Sequence, residues 1–249
     1  MNVFLSAAEQ TPIVTKVWNL VDWVITTAHL STEGSIAANI IGAMLCIVIP
    51  YLLGSISPAV LISTRVCGKD IRTVGRKTAG TYNMLLSYGP KMAAVSAVCE
   101  FLLGFAAVWF GRFIWETNGA GLALFFVVFG NLFPAFHKLS GGKGIATMLG
   151  IATALHPIIV VLLLFIFVLS VLASKLVTFG SVAIAGLFPI FVRAFANDGL
   201  QLAMAVFAAG FIIWAHRHNY RRVQDGKEEK FYFSTYLKKK KAKGDGGDE

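Results

Sequence analysis

A glycine-rich segment with one lysine stands directly before a long apolar stretch of this 249-residue chain. Residues 140–147 read SGGKGIAT, in which Gly141, Gly142 and Gly144 surround Lys143. Glycines allow backbone N–H groups to converge on an anion, and a helix that begins there adds a partial positive charge. The segment therefore predicts a phosphate-binding loop with Lys143 as its cation. It is not a Walker A loop, because the upstream glycine which that motif requires is missing.

Two further polar segments supply a hydroxyl and an imidazole. Residues 54–58 (GSISP) place Ser55 near the end of the first apolar stretch. Residues 216–222 (HRHNYRR) follow the last one, and on a continuing helix His216 and Asn219 would share a face. A histidine with a near-neutral pKa can carry a proton. Each segment also has a plainer interpretation, since membrane serines bond back to carbonyls and basic residues cluster at helix ends.

Composition indicates what kind of molecule carries these segments. The chain is 56% hydrophobic and only 14% charged, and its mean hydropathy is +0.70. A soluble domain has roughly 25% charged residues, and a disordered chain is less apolar still. The net charge of +9 lies in short segments between apolar stretches, which is typical of membrane proteins. We therefore predict an all-α, polytopic integral membrane protein without a nucleic-acid partner.

The apolar stretches define the expected crossings, since a spanning helix needs about 20 apolar residues. They are residues 36–64, 91–111, 119–137, 144–173, 176–194 and 199–215. The first is predicted to break near Pro58. The pair His156-Pro157 should divide the fourth into two short spans, because proline removes a backbone donor and restricts the residue before it. The sequence thus predicts seven transmembrane helices.

The distribution of lysine and arginine predicts the orientation. With seven crossings, nineteen of the 22 Lys and Arg residues fall on one side, which the positive-inside rule assigns to the cytoplasm. The three polar segments lie on that side, together with Arg65 and Arg72. They are expected to form one site for an anionic substrate whose acyl chain lies between helices. Glu100, inside an apolar stretch, is expected to be functional or paired.

The remaining residues divide the chain into three regions. Residues 1–34 are predicted to be an N-terminal extension, either an amphipathic helix at the membrane interface or a disordered leader. Residues 35–232 form the transmembrane domain. Residues 233–249, basic and then acidic, are predicted to be a disordered cytoplasmic tail.

In their order along residues 36–230, these motifs resemble the bacterial acyl-phosphate:glycerol-3-phosphate acyltransferase family (PlsY-type). The resemblance rests on residues 54–56, 68–72, 141–147, 178–181 and 216–220. It implies a PlsY-like fold that transfers a fatty acyl group from acyl phosphate to the 1-hydroxyl of glycerol 3-phosphate, giving lysophosphatidic acid and phosphate. It also implies a cell-membrane enzyme of phospholipid synthesis with its active site facing the cytoplasm. Acyl phosphate, glycerol 3-phosphate and membrane lipids would be its partners, with no metal and no cofactor.

The same resemblance implies roles for individual positions. The residues that match its catalytic cluster are Ser55, His216 and Asn219. Those that match phosphate-contacting positions are Arg65, Lys143 and Ser181. Further substrate-binding positions are Arg72, Gly141, Gly142 and Gly144.

One segment departs from the family pattern. Where the family reads GSGNPGATN, residues 75–83 read GRKTAGTYN, so three of nine positions survive. Either Arg76 and Lys77 replace lost phosphate contacts, or the donor or acceptor has changed, or activity is gone. The last possibility gives an alternative function, a catalytically weak paralogue that binds acyl phosphate or lipid and regulates or scaffolds lipid synthesis. A transporter is a third alternative, which a polar cluster near one surface disfavours.

Overall fold

The computed structural model describes residues 19–228 and residue 230, and within this part of the chain all regular structure is helical. The helices are α1 (Leu20–Thr27), α2 (Thr32–Ser55), α3 (Pro58–Arg65), α4 (Thr81–Tyr88), α5 (Pro90–Leu132), α6 (Ile145–Leu155), α7 (Pro157–Ser174), α8 (Val177–Phe195), α9 (Gly199–Ala215) and α10 (Arg217–Gln224). Short 3-10 helices at Ile71–Thr73 and Ala135–His137 lie in the loops. The predicted all-α fold is confirmed, while the tail 233–249 lies outside the described residues.

Prolines end and begin helices where the sequence predicts. α2 ends at Ser55 and α3 begins at Pro58, so the first apolar stretch is broken there. Likewise α6 ends at Leu155 and α7 begins at Pro157, with His156 between them in an extended conformation. Each proline stands in the first turn of its helix, where its missing N–H has no partner to lose.

Helix α5 covers two of the predicted apolar stretches and doubles back on itself. Residues 115–116 have non-helical backbone angles. A Cβ on Gly111 would lie 2.3 Å from the carbonyl oxygen of Gly119, although an unbroken helix would separate these residues by about 12 Å. Helix α5 is therefore two packed arms, residues 90–114 and 117–132.

The number of membrane crossings depends on how these helices are counted. Among the described residues, four segments are long and apolar enough to cross a membrane: Thr32–Arg65, Pro90–His137, Pro157–Ser174 and Val177–Phe195. A fifth is added when α9 and α10, bent by 46°, are taken as one span. The predicted seven are reached only if both arms of α5 and the short α6 also count. Seven crossings therefore stay a prediction.

Glycines bring the backbones of α2, α5 and α6 into direct contact. A Cβ on Gly130, in the second arm of α5, would lie 2.2 Å from the carbonyl oxygen of Tyr51 in α2. A Cβ on Gly150 of α6 would lie 2.0 Å from the carbonyl oxygen of Phe101 in the first arm of α5. Since no side chain fits at these positions, the three helices pack closely along small-residue faces.

The substitution Gly130→Ala is expected to destabilise this packing, because its methyl group would overlap the Tyr51 carbonyl. The free energy of unfolding should fall by about 1–3 kcal/mol, which is the usual cost of overpacking. The midpoint of thermal unfolding in detergent should fall with it. The control is Gly210→Ala in α9, where a Cβ meets nothing within 4 Å. Its midpoint should stay the same or rise, because alanine favours helices. Equal midpoints for the two variants would contradict the packing.

The N-terminal part of the described chain is helical. Helix α1 lies within the predicted extension 1–34, and its Val21 packs closely against Gly42 of α2. Helix α2 begins at Thr32, just before the predicted domain boundary at residue 35. The location of α1 at the membrane interface stays a prediction, and residues 1–18 lie outside the described residues.

Candidate active site

A cavity of about 470 Å³ lies between α4, the first arm of α5, α6, α7, α8 and the junction of α9 with α10. Its polar lining includes Arg76, Lys143, Thr178, Ser181, His216 and Asn219. Its apolar lining includes Ala93, Ala97, Leu149, Phe167 and Val171. One cavity thus combines cations, hydroxyls and an imidazole with an apolar wall, which suits an anionic molecule with a hydrocarbon chain.

The glycine-rich loop leads into α6 as the sequence predicts. Gly144 has a φ of +76° and directly precedes the helix. Gly141 allows the loop to press on the second arm of α5, because its Cβ would lie 2.0 Å from the carbonyl oxygen of Asn131. The N–H of Gly142 donates to that same oxygen at 3.0 Å. The three glycines therefore shape the turn, and among them Gly144 lines the cavity.

Lys143 and Asn219 are brought together at the cavity wall. The Lys143 Nζ donates to the Asn219 Oδ1 at 2.5 Å, and the Asn219 Nδ2 donates to the Thr178 Oγ1 at 3.2 Å. Burial lowers the pKa of Lys143 to about 8, and the charge of Arg76 acts in the same direction. The ammonium group is therefore still mostly protonated at neutral pH and is oriented by an amide oxygen.

His216 presents a neutral imidazole to the cavity. Its side chain is buried, and Nδ1 lies 2.8 Å from the carbonyl oxygen of Ile212. Because a carbonyl only accepts, Nδ1 carries the hydrogen and Nε2 keeps its lone pair. Burial lowers the pKa of His216 to about 4, and the charge of Lys143 lowers it further. The ring is therefore a hydrogen-bond acceptor at neutral pH.

The predicted continuing helix through His216 and Asn219 is bent at His216, which is the C-cap of α9 and the N-cap of the helix α10 that carries Asn219. α9 ends at Ala215 and α10 begins at Arg217, with a bend of 46° between the two helices. The bend follows the change from an apolar sequence to a strongly basic one. His216 and Asn219 nevertheless both line the cavity.

Ser55 lies away from this cavity and joins two segments of the fold. It is fully buried, and its hydroxyl donates to the carbonyl oxygen of Tyr51 at 2.8 Å. The Ser55 Oγ in turn accepts from the backbone N–H of Ala135 at 3.1 Å. The structure thus places Ser55 between α2 and the loop 133–144, and Ser55 is not among the residues that line the cavity with His216.

Two of the predicted substrate-binding cations are also outside the cavity lining. Arg65 is exposed at the end of α3. Arg72 forms an ion pair of 2.7 Å with Asp70 and donates to the carbonyl oxygen of His137 at 2.7 Å. Arg72 therefore ties the loop 66–80 to the loop 133–144. Of the three positions predicted to contact phosphate, Lys143 and Ser181 line the cavity and Arg65 does not.

Comparison with known proteins explains why these motifs occur together. Residues 44–226 match the family model for glycerol-3-phosphate acyltransferase. The chain belongs to the glycerol-3-phosphate acyltransferase family. It is 38% identical over 189 residues to the glycerol-3-phosphate acyltransferase of Clostridioides difficile strain 630, covering 74% of this chain and 92% of that protein. It is 33% identical over 188 residues to the glycerol-3-phosphate acyltransferase of Fusobacterium nucleatum, and that alignment covers 75% of this chain and 97% of that protein.

Solved structures of this family confirm the PlsY-like membrane fold. The crystal structure of PlsY (YgiH), an integral membrane glycerol 3-phosphate acyltransferase, in its glycerol 3-phosphate form is 26% identical with a TM-score of 0.74. That alignment covers 78% of this chain and 98% of PlsY. The lysophosphatidic acid form, at 24% identity and a TM-score of 0.71, shares the fold. This chain is therefore a multi-pass integral membrane protein.

The segment that departs from the family pattern lies at the cavity. Arg76 lines it, whereas Lys77 is exposed, so only the first of these two cations is available to a ligand there. Arg76 also donates to the carboxylate of Glu228 at 2.8 Å. Glu228 is not among the residues that the sequence predicts for the site. An isolated acidic residue near the basic tail has no periodicity or motif that would have marked it.

Asn83, which the acyltransferase pattern shares with this chain, organises the loop that carries Arg76. Its Nδ2 lies 2.9–3.0 Å from the carbonyl oxygens of Ile71, Val74 and Thr78. Its Oδ1 accepts from the backbone N–H of Arg76 at 2.8 Å. One buried side chain therefore fixes the path of residues 71–80 and the place from which Arg76 reaches the cavity.

The substitution Asn83→Ala is expected to lower the free energy of unfolding by at least about 2 kcal/mol, because several backbone groups lose their partner. The thermal midpoint in detergent should fall accordingly. Asn39→Ala is the matched control, since Asn39 lies half-buried in α2 and its amide donates to the Ser35 carbonyl. The free energy of unfolding of this control variant is expected to change by less than about 0.5 kcal/mol. A similar small loss for both variants would contradict the organising role of Asn83.

Proposed function

We propose that this protein transfers a fatty acyl group from acyl phosphate to the 1-hydroxyl of glycerol 3-phosphate. The products are lysophosphatidic acid and inorganic phosphate. The observation that carries the proposal is the cavity in which Lys143, Asn219 and His216 stand beside an apolar wall. The named relatives support the acceptor, and the cationic and apolar linings support an acyl phosphate donor.

The cationic end of the cavity binds the phosphate groups. Lys143 and Arg76 supply positive charge, the Ser181 hydroxyl supplies a donor, and the first turn of α6 adds its partial positive charge. Both substrates are anions, so burial of these cations strengthens their attraction for the phosphates. The apolar wall around Leu149 and Phe167 receives the acyl chain.

His216 orients and deprotonates the acceptor. Its Nε2 lone pair accepts a hydrogen bond from the 1-hydroxyl, whose oxygen attacks the acyl carbonyl carbon. The bond between that carbon and the phosphate oxygen breaks, and the proton leaves with the phosphate. Acyl phosphate is already activated, so the transfer requires no nucleotide. A neutral imidazole suffices because the leaving group is good.

Lys143 and Asn219 stabilise the reacting centre. Negative charge develops on the carbonyl oxygen during the attack, and preorganised donors in a buried site stabilise it. The hydrogen bond of 2.5 Å between the two side chains fixes the ammonium group before substrate arrives. Ser55 acts as a positioning residue, since it holds the N–H of Ala135 and with it the loop that precedes the glycines.

The cavity faces the cytoplasm of the cell membrane in this proposal. The support is the asymmetry of charge, because nineteen of the 22 Lys and Arg residues lie on one side of a seven-helix topology. Residues 35–232 form the transmembrane enzyme. The extension 1–34 precedes it, and the basic and acidic tail 233–249 follows it in the cytoplasm.

Rescue of a bacterium that lacks its acyl-phosphate-dependent acyltransferase tests the proposal. The wild-type chain is expected to restore growth, and Lys143→Ala is expected not to. Both proteins are quantified in the membrane fraction, so that loss of expression is separated from loss of activity. Absence of rescue by well-expressed wild-type protein would contradict the proposal and favour the non-catalytic paralogue.

A further inference from the structure

The cationic end of the cavity holds a carboxylate from the chain itself. Glu228 follows α10, and its side chain is 3% exposed. Its Oε1 accepts from the Arg76 Nη1 at 2.8 Å and from the Thr178 Oγ1 at 2.8 Å. The Asn219 Nδ2 lies 3.4 Å from the same oxygen. Of these donors, the proposed function assigns Arg76 to phosphate and Asn219 to the reacting centre, and Thr178 lines the same cavity.

This carboxylate is ionised. Burial by itself would raise the pKa of Glu228, but hydrogen bonds from Arg76 and then Thr178, with the charges of Arg76 and Lys143, lower it below its ordinary value. Buried cations are costly without a counter-charge. In the free protein Glu228 therefore neutralises the cations that a substrate phosphate would otherwise neutralise.

The carboxylate fits the site incompletely. All three donors meet Oε1, whereas Oε2 is buried and has no hydrogen-bond partner among the described residues. Buried polar atoms are normally paired, so the Oε2 atom contributes no hydrogen bond to the binding of this carboxylate. A phosphate monoester brings three terminal oxygens and a charge close to −2 at neutral pH. It therefore satisfies more donors and balances two cations.

Glu228 lies outside the part of the chain that matches the family. The match ends at residue 226, where Gly226 has a φ of +66°. The N–H of Lys227 donates to the carbonyl oxygen of Arg222 at 2.8 Å, which turns the chain back after α10. The turn directs Glu228 to Thr178 in α8 and to Arg76 in the loop that departs from the family pattern.

We propose that Glu228 is an internal competitor for the substrate phosphate: its carboxylate fills the cation site of the free protein, and a bound phosphate displaces it. The identity of that substrate rests on the proposed function. Two anions cannot share these donors, because like charges at hydrogen-bonding distance repel strongly. The displacement weakens phosphate binding, and it selects acceptors that carry an anion over neutral polyols.

Binding of inorganic phosphate to the full-length protein in detergent tests the competition directly. By isothermal titration calorimetry, Glu228→Gln is expected to bind phosphate about tenfold more tightly than the wild type, the scale of one charge-assisted hydrogen bond lost from the competing state. The control is Asp225→Asn, which removes the same charge from an exposed side chain of the same segment. Its affinity should equal that of the wild type. Equal or weaker binding by Glu228→Gln would overturn the inference.

Kinetics give a second measurement of the same competition. The KM for glycerol 3-phosphate should fall in Glu228→Gln in proportion to the gain in phosphate affinity. A KM that rises would mean that Glu228 serves to position Arg76, and would overturn the inference. If the glutamine variant does not fold, Glu228→Asp keeps the charge but shortens its reach, and its phosphate affinity should also exceed that of the wild type. If Glu228→Gln binds phosphate more tightly but neither the wild type nor any variant transfers acyl groups, the proposed function is refuted and the competition is supported.

Discussion

Replacement of Lys143 by methionine is expected to lower kcat/KM for acyl transfer by about 10²–10³-fold, the usual effect of removing one preorganised electrostatic group. Methionine keeps the length of the side chain and removes its charge. The Asn219 Oδ1 loses its donor, and the cavity loses the cation nearest the start of α6. The loss is measured with purified protein and a synthetic acyl phosphate.

The pH dependence of the wild-type enzyme gives this prediction a second readout. Lys143 has its pKa lowered to about 8, so its charged form is present below that pH and is lost above it. Because kcat/KM reports groups of the free enzyme, it should decline above about pH 8. The methionine variant should lack that decline.

The matched control for Lys143 is Lys138→Met. Lys138 is an exposed lysine of the same loop, so its replacement removes an equal charge from nearly the same part of the chain. Its kcat/KM is expected to stay within about twofold of the wild type, because exposed charges contribute little. Similar losses in both variants would show that general surface charge matters, and would argue against a specific role for Lys143.

Removal of the imidazole in His216→Ala is expected to lower kcat by about 10²–10⁴-fold, the range typical of general acid–base assistance. The neutral ring donates through Nδ1 to the Ile212 carbonyl, and in the proposed mechanism its Nε2 accepts from the acceptor hydroxyl. Alanine removes both functions. A rate within a few-fold of the wild type would exclude the role proposed for His216.

Two further variants separate chemistry from folding at this position. His216→Asn keeps an N–H that can donate to the Ile212 carbonyl but has no lone pair at the position of Nε2. It should therefore be nearly as inactive as alanine while unfolding at about the wild-type temperature. His218→Ala removes an exposed histidine two residues away and is expected to leave kcat unchanged.

Several features of this fold were predictable because their causes are local. Hydropathy over about 20 residues marks a membrane helix, and proline ends or begins a helix through its own missing N–H. The helix breaks near Pro58 and at His156-Pro157 were therefore predicted correctly. The place of Lys143 in a glycine-rich loop before a helix was predictable for the same reason, since its glycine neighbours and the following helix are adjacent in the chain.

The roles of Ser55 and Arg76 depended on contacts between distant segments. A serine near a helix end is compatible with catalysis, yet the Ser55 hydroxyl holds an N–H that is 80 residues away in the chain. Arg76 and Lys77 are adjacent and equally charged, and the hydrogen bonds of Asn83 direct only Arg76 to the cavity. No pattern in the sequence distinguishes these outcomes.

The apolar helices, their proline-marked breaks and the types of side chain proposed to bind phosphate follow from chemistry that acts over a few residues. Which of those side chains meet in one cavity is a property of the folded chain. It depends on the close glycine contacts that set the distances between α2, α5 and α6, and on hydrogen bonds across long loops. Glu228 illustrates the difference, because its charge is visible in the sequence while its contact with Arg76 spans 152 residues.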